Sequence, residues 1–274
     1  MVTELNADEF YKCKHFLQDS RLLEVSAVIE RINPGRIFAD DPDNPASALI
    51  WLGNNDGFIF TGDENNERFN SRIKDFIDKE LAPEAKRAGL KWFEGAGSHT
   101  GWDKVLEKIC EGRKWSSWSQ RVYKLVEQNY VCTEPLIEHN YEVIKINKAL
   151  LDRVNLINNT EFLDEKILGF WSSYDKFFEY GIGYCIKFNN EIVTICMSDF
   201  VAGNIHTIGI ETLKEHEGKK LAQKAVHKVV KECFSKGFTP YWDCMESNKP
   251  SIAVAEAIGF QKINTYTGYE FPFN

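Results

Sequence analysis

The stretch His216-Glu-Gly-Lys-Lys-Leu-Ala222 sets a glycine and two lysines at the head of an apolar helical stripe, just after a run that reads as a strand, Ile205 to Thr212. A helix that starts on such a turn offers free backbone N–H groups and the positive end of its dipole. An anion can be held there without any side chain. Gly218 permits a positive φ and a close approach, and Ala222 is small enough for a diphosphate to lie against the first turn. Lys219 and Lys220 add positive charge. An ordinary surface helix can begin the same way, so the turn alone decides nothing. The strand itself carries two titratable groups, His206 and Glu211, either of which could take a proton from a nucleophile. A phosphorylated donor held beside a proton acceptor is the chemistry this pattern could serve.

The elements around the turn must position these groups. KKLAQKAVHKVVKECFSKG puts Leu221, Ala222, Ala225, Val226, Val229, Val230 and Cys233 on one stripe and stops at Gly237. TPYWDCM predicts a second strand. ESNKPS predicts a turn, SIAVAEAIGF a short helix ended by Gly259, and QKINTYTGYEFPF a closing strand pair. Strand, glycine turn, helix, strand is a βαβ unit with parallel strands. In its first strand His206, Ile208, Ile210 and Thr212 alternate onto one face, and Glu211 points the other way unless a bulge intervenes.

Further upstream the pattern predicts a strand at EVIKIN, helices at KALLDRVNLIN and EFLDEKILGFWSSYDKFFEYG, and three strands over GYCIKFNNEIVTICMSDFVAGNIHTIGIETL. The first part predicts a helix from Asp8 to about Ile32 and short strands at RIFAD, ASALIWLG and GFIFTG. NERFNSRIKDFIDKELAPEAKRAG follows as a helix, KWFEGAG as a strand and GWDKVLEKICEG as a helix. Both parts run helices, meander, crossing helix, strand, an order that a distant duplication would leave. The expected boundary lies near residue 130. It separates an N-terminal α/β domain, 1–130, from a C-terminal domain, 131–274.

Composition narrows the class. A chain of 274 residues, 43% hydrophobic and 27% charged, suits a soluble protein with a sizeable core. A net charge of −8 argues against general nucleic-acid binding. No apolar run approaches the roughly 20 residues that cross a membrane. The seven cysteines are scattered through apolar runs without a CxxC pair, and the six histidines show no ligand spacing. Reduced core thiols, a cytoplasmic setting and no metal are the expectation.

The segment from about His206 to Phe260 resembles the GNAT superfamily of acyl-CoA-dependent N-acyltransferases. There a fourth strand enters a Q/R-x-x-G-x-G/A loop and a helix, followed by a fifth strand, an Asn and a short helix ending in Gly-Phe. Here the matching residues are Glu217-Gly-Lys-Lys-Leu-Ala222, then Trp242-Asp-Cys, Asn248 and Ile258-Gly259-Phe260. The whole chain is similar to two-part members of that superfamily that include zwittermicin-type self-resistance acetyltransferases.

The resemblance implies a mixed, mostly antiparallel sheet with helices on both faces. It implies acetyl-CoA as acyl donor and a small-molecule primary amine as acceptor, with the N-terminal domain, 1–130, closing the acceptor side. The amides of Gly218, Lys219, Lys220, Leu221 and Ala222 would hold the diphosphate beside Glu217, and the backbone of Ile210 and Thr212 the pantetheine arm, with Asn248 and Ser251 close to it. His206 and Glu211 are the implied base candidates. The tyrosine that many members place four residues before the helix-ending glycine is Ala255 here, which leaves Tyr266 or Tyr269 as acid candidates. Glu217 replaces the usual Arg or Gln, and Lys220 a glycine; a side chain at 220 is accommodated if its backbone is helical. A GNAT-fold module that binds CoA or a partner without turnover stays open as the alternative, and so do monomer and homodimer.

Overall fold

Alternation and turn chemistry account for most of the strands. The structure is a computed structural model that describes residues 1–18, 20–53, 57–152 and 157–273. The chain forms two compact units, Met1–Gln120 with Thr265–Asn274, and Arg121–Asn264.

The first unit opens with β1 (Thr3–Glu4), a 3-10 helix over Ala7–Gln18 and α1 (Leu23–Ile29). The single helix expected from Asp8 to Ile32 is therefore two pieces. Ser20 explains the break, because its hydroxyl accepts from Leu22 N at 3.3 Å and competes with the helical ladder. The strands β2 (Gly35–Ala39), β3 (Ser47–Leu52) and β4 (Phe58–Gly62) form an antiparallel meander. Then come α2 (Glu67–Phe76), a π turn over Ile77–Leu81 and α3 (Ala82–Arg87). Next is β5 (Trp92–Gly97), parallel to β4, and then α4 (Asp103–Cys110) and β6 (Ser116–Lys124).

The second unit repeats that order. It runs β7 (Tyr141–Lys145), α5 (Lys148–Leu151), α6 (Thr160–Phe170), α7 (Tyr174–Tyr180), β8 (Gly183–Phe188), β9 (Glu191–Ala202) and β10 (Ile205–Thr212). The helix predicted over KALLDRVNLIN is present at α5, and residues 153–156 lie outside the described ones. After β10 come α8 (Leu221–Ser235), β11 (Thr239–Met245), α9 (Lys249–Ile258) and β12 (Gln261–Pro272). The expected closing strand pair is a single strand. Gly268 lies within that strand and serves a close approach: a Cβ there would meet the Trp118 ring at 2.2 Å.

Strand order in the first unit is β1-β2-β3-β4-β5 with the C-terminal part of β12 beside β5, and in the second β7-β8-β9-β10-β11 with the end of β6 beside β11. The sheet is mixed and mostly antiparallel: β10 and β11 pair parallel, as do β4 and β5, and the other registers described are antiparallel. In the second unit α8 buries Leu221, Ala225, Val226, Val229, Val230 and Cys233 against Ile186, Val193, Cys196 and Ile208. Phe177 of α7 approaches the other side of the sheet, where it and Met197 would meet a Cβ on Gly183. Helices thus cover both faces.

Candidate active site

The parallel register joins Ile205–Thr207 of β10 to Thr239–Tyr241 of β11 and extends no further among the described residues. On its other side β10 stays paired with β9 through Thr212. The second half of β10 therefore keeps one edge of backbone groups that β11 does not take up, a ready partner for an extended amide-bearing chain. Between Thr207 and Ile208 the β9 register skips one residue, Asp199. This bulge bends the pair, and bulges re-aim side chains next to active sites. Gly209 accommodates it, since a Cβ on Gly209 would lie 1.9 Å from Asp199 Oδ2.

Beyond Thr212 the chain makes a 3-10 turn, Lys214–His216, whose end uses the amides of His216 (to Leu213 O, 2.8 Å) and Glu217 (to Lys214 O, 3.3 Å). Gly218 then adopts φ 75° and Lys220 φ 62°. The helical backbone expected at Lys220 is a left-handed one: the position takes a conformation that favours glycine while carrying a side chain. Lys220 caps α8 without a side-chain hydrogen bond. The ladder starts at Lys224 N to Lys220 O, 3.0 Å, which leaves the amides of Leu221, Ala222 and Gln223 as the free first turn of a 15-residue helix. Nothing lies within 4 Å of a Cβ built on Gly218, so the turn is open.

A side-chain network holds this turn. Lys219 Nζ donates to Tyr141 Oη at 3.0 Å and to Glu215 O at 3.3 Å. Tyr141 Oη lies 2.9 Å from His216 Nδ1. A lysine can only donate, so the tyrosine oxygen accepts from it and the hydroxyl proton is assigned to His216 Nδ1. The Tyr141 ring packs on Phe188, 4.9 Å between centroids. Tyr141 sits on β7, far from the loop in sequence, and no local pattern points to it.

The other expected site residues fall in several places. Ile210 and Thr212 lie on the open half of β10, with Thr212 Oγ1 3.1 Å from Thr194 Oγ1. Glu211 is exposed and ion-paired with Lys166. His206 is 1% exposed. Its Nδ1 lies 2.8 Å from Ser198 Oγ, and its ring stacks on Phe238 at 4.4 Å. Burial, helped by the Lys236 charge, pulls its pKa down to about 4. Asn248 accepts from Ser251 N at 3.1 Å as the cap of α9, and Ser251 Oγ accepts from Trp242 Nε1 at 3.0 Å. Ala255 is buried in the core. Tyr266 and Tyr269 lie in the part of β12 that belongs to the first unit, whereas His206 and Glu211 belong to the second. Among the described residues no His, Cys, Asp and Glu group could hold a metal ion, and no helix is long and apolar enough to cross a membrane.

An open strand edge running into an uncapped helix start offers backbone groups to an extended amide-bearing arm and to an anion. The model of the GNAT acetyltransferase family matches residues 14–269. The chain belongs to the GNAT acetyltransferase family. It is 25% identical over 252 residues to a Bacillus subtilis (strain 168) protein named "Uncharacterized N-acetyltransferase YdfB", covering 89% of this chain and 88% of that protein. Its fold is shared with a GCN5-related N-acetyltransferase-like protein from Streptococcus suis 89/1591, at TM-score 0.68 and 16% identity over 97% of this chain and 99% of the other. A tandem GNAT protein from the clavulanic acid biosynthesis pathway shares it at TM-score 0.61 and 10% identity, over 100% of this chain and 98% of that one. The chain is thus an acetyltransferase, of a family whose enzymes use acetyl-CoA.

Proposed function

We propose that the protein transfers an acetyl group from acetyl-CoA to a primary amine of a small molecule. The observation that carries this reading is the uncapped first turn of α8, reached through two left-handed residues at the end of a strand with an open edge. In it the amides from Gly218 to Ala222 hold the diphosphate, with Lys220 offsetting Glu217. The edge of β10 at Ile210 and Thr212 aligns the arm, near Asn248 and Ser251. Tyr141 and His216 fix Lys219 and with it the loop. The bound donor supplies an activated thioester, and the chain supplies orientation, which alone accounts for much of the rate in such transfers.

The exposed Glu211 takes the proton of the attacking amine, with Lys166 holding its carboxylate in place. His206, enclosed by Ser198 and Phe238, keeps β9 and β10 in register beside the Asp199 bulge. Within the family, the repeated element order supports a place among the two-part members such as the zwittermicin-type self-resistance acetyltransferases. We assign donor binding to the C-terminal half and a share of acceptor selection to residues 1–130.

Calorimetry with acetyl-CoA and a thiol-release screen over small amines test the proposal. Saturable donor binding is expected, with amine-dependent thiol release that falls about a hundredfold or more in Glu211→Gln at unchanged donor affinity. Folded protein that ignores millimolar acetyl-CoA overturns the reading. Binding without release over a broad amine panel leaves the non-catalytic module instead.

A further inference from the structure

The first unit holds a cavity of about 800 Å³ that shares no residue with the α8 cradle. It is lined by Gly62 at the end of β4, by Glu64 beyond it and by His99 after β5. Here the parallel pairing of Phe58–Phe60 with Gly95–Gly97 ends, which is the place in a βαβ unit that the cradle takes in the second unit. Ligands of open α/β sheets bind at such carboxyl ends, and the volume falls within the ~300–1,000 Å³ of small-molecule sites.

The loop between β4 and α2 does not suit a diphosphate. Asn66 caps α2 by accepting from Phe69 N at 3.2 Å, which occupies an amide that the second unit leaves free. Asp63 and Glu64 stand in the loop where the other unit has Lys219 and Lys220. His99 fixes the carboxylate side of the cavity. Its Nδ1 accepts from Gly101 N at 3.2 Å, so the proton is on Nε2, which faces Gly62 O at 3.2 Å. Glu64 packs over Gly101, where a Cβ would meet Oε1 at 2.6 Å, and its Oε2 lies 3.9 Å from His99 Nε2. Among the described residues no lysine or arginine pairs with Glu64.

Arg21 lines the same cavity. Its backbone N donates to Ser98 O at 2.9 Å, and its guanidinium pairs with no carboxylate among the described residues. Phe16 and Pro45 supply an apolar wall. Among the described residues, one cavity therefore holds a carboxylate and a guanidinium that pair neither with each other nor with another charged side chain. A ligand that satisfies both carries an ammonium and a carboxylate. We propose that this cavity binds a zwitterion of the amino-acid type, a free amino acid or a short peptide, with its ammonium on Glu64, its carboxylate on Arg21 and its side chain along Phe16 and Pro45.

The test is calorimetry on the full chain with the common amino acids and a set of dipeptides at millimolar concentration; which of the two sets binds identifies the source. Saturable binding is expected for at least one probe. Acetylating its amine or esterifying its carboxylate should weaken binding about tenfold or more. Glu64→Gln should abolish the preference for the free amine and Arg21→Gln that for the free carboxylate. Neither should change acetyl-CoA affinity, so failure here is separable from failure of the donor site. Both side chains reach solvent, and circular dichroism confirms that the variants fold. The proposal is overturned if no probe binds to the folded protein, if binding survives both substitutions, or if acetyl-CoA displaces the probe.

Discussion

The two units use the same strand–turn–helix passage for opposite ends. From β10 to α8 the turn carries Lys219 and Lys220, has two left-handed residues and leaves the helix uncapped. From β4 to α2 it carries Asp63 and Glu64 and closes the helix with the Asn66 side chain. The backbone topology is repeated, and the charge and the cap are not. A βαβ unit is thus only an offer of a ligand site. What occupies the first turn, an asparagine side chain or nothing, decides whether the offer extends to an anion.

Acid should separate the units most strongly. Both histidines that burial holds below their ordinary pKa, His206 at about 4 and His227, lie in the second unit. The unfolded chain binds those protons more readily, so the stabilisation is complete above about pH 6.5 and drains as pH falls toward 4. For His206 a shift of this size corresponds to about 3 kcal/mol. Hydrogen exchange between pH 7 and 4 should show the second unit loosening first, and His206→Gln should flatten the dependence. An equal response in both units would break the contrast.

Next in size, Ala222→Asp puts a carboxylate on the free first turn of α8. Such a charge favours the helix itself, so the fold should hold while acetyl-CoA affinity drops about thirtyfold. Arg68→Asp, on the first turn of α2, should leave that affinity alone. Calorimetry with both variants checks the pair.

Tyr141→Phe removes the hydroxyl between Lys219 and His216. Steady-state kinetics should show the KM for acetyl-CoA rising about fivefold with kcat nearly unchanged, the cost of one charge-assisted hydrogen bond in a half-exposed loop. Lys219→Ala should do the same, and the double variant little more.

The smallest effect concerns Lys220. Restoring glycine at a left-handed position relieves about 1 kcal/mol of backbone strain, so Lys220→Gly should raise the Tm by about 2–4 °C. A lowered Tm would mean that the lysine side chain, and not the turn, stabilises this passage.

What could be read beforehand was local. The βαβ unit around residues 205–260 shows itself because strand alternation, a glycine turn and a 3.6-residue stripe lie side by side. The open edge of β10 and the Asp199 bulge leave no mark, since they depend on how two strands part. Tyr141 reaches Lys219 from β7, and such long-range contacts have no sequence spacing to betray them. Lys220 hides a glycine's conformation under a side chain. Gly268 is the reverse case, because in sequence a glycine that admits a tryptophan ring looks the same as one that turns a chain.

Residues 265–272 follow the whole of the second unit along the chain, yet they belong to the unit that precedes it. Tyr269 and Phe271 lie in its core, and Gly268 to Pro272 pair with Ala96 to Trp92 of β5. Domains usually fold in the order of their synthesis. Here the half that is made first must wait, its sheet one strand short, until the second unit and the strand beyond it have been made.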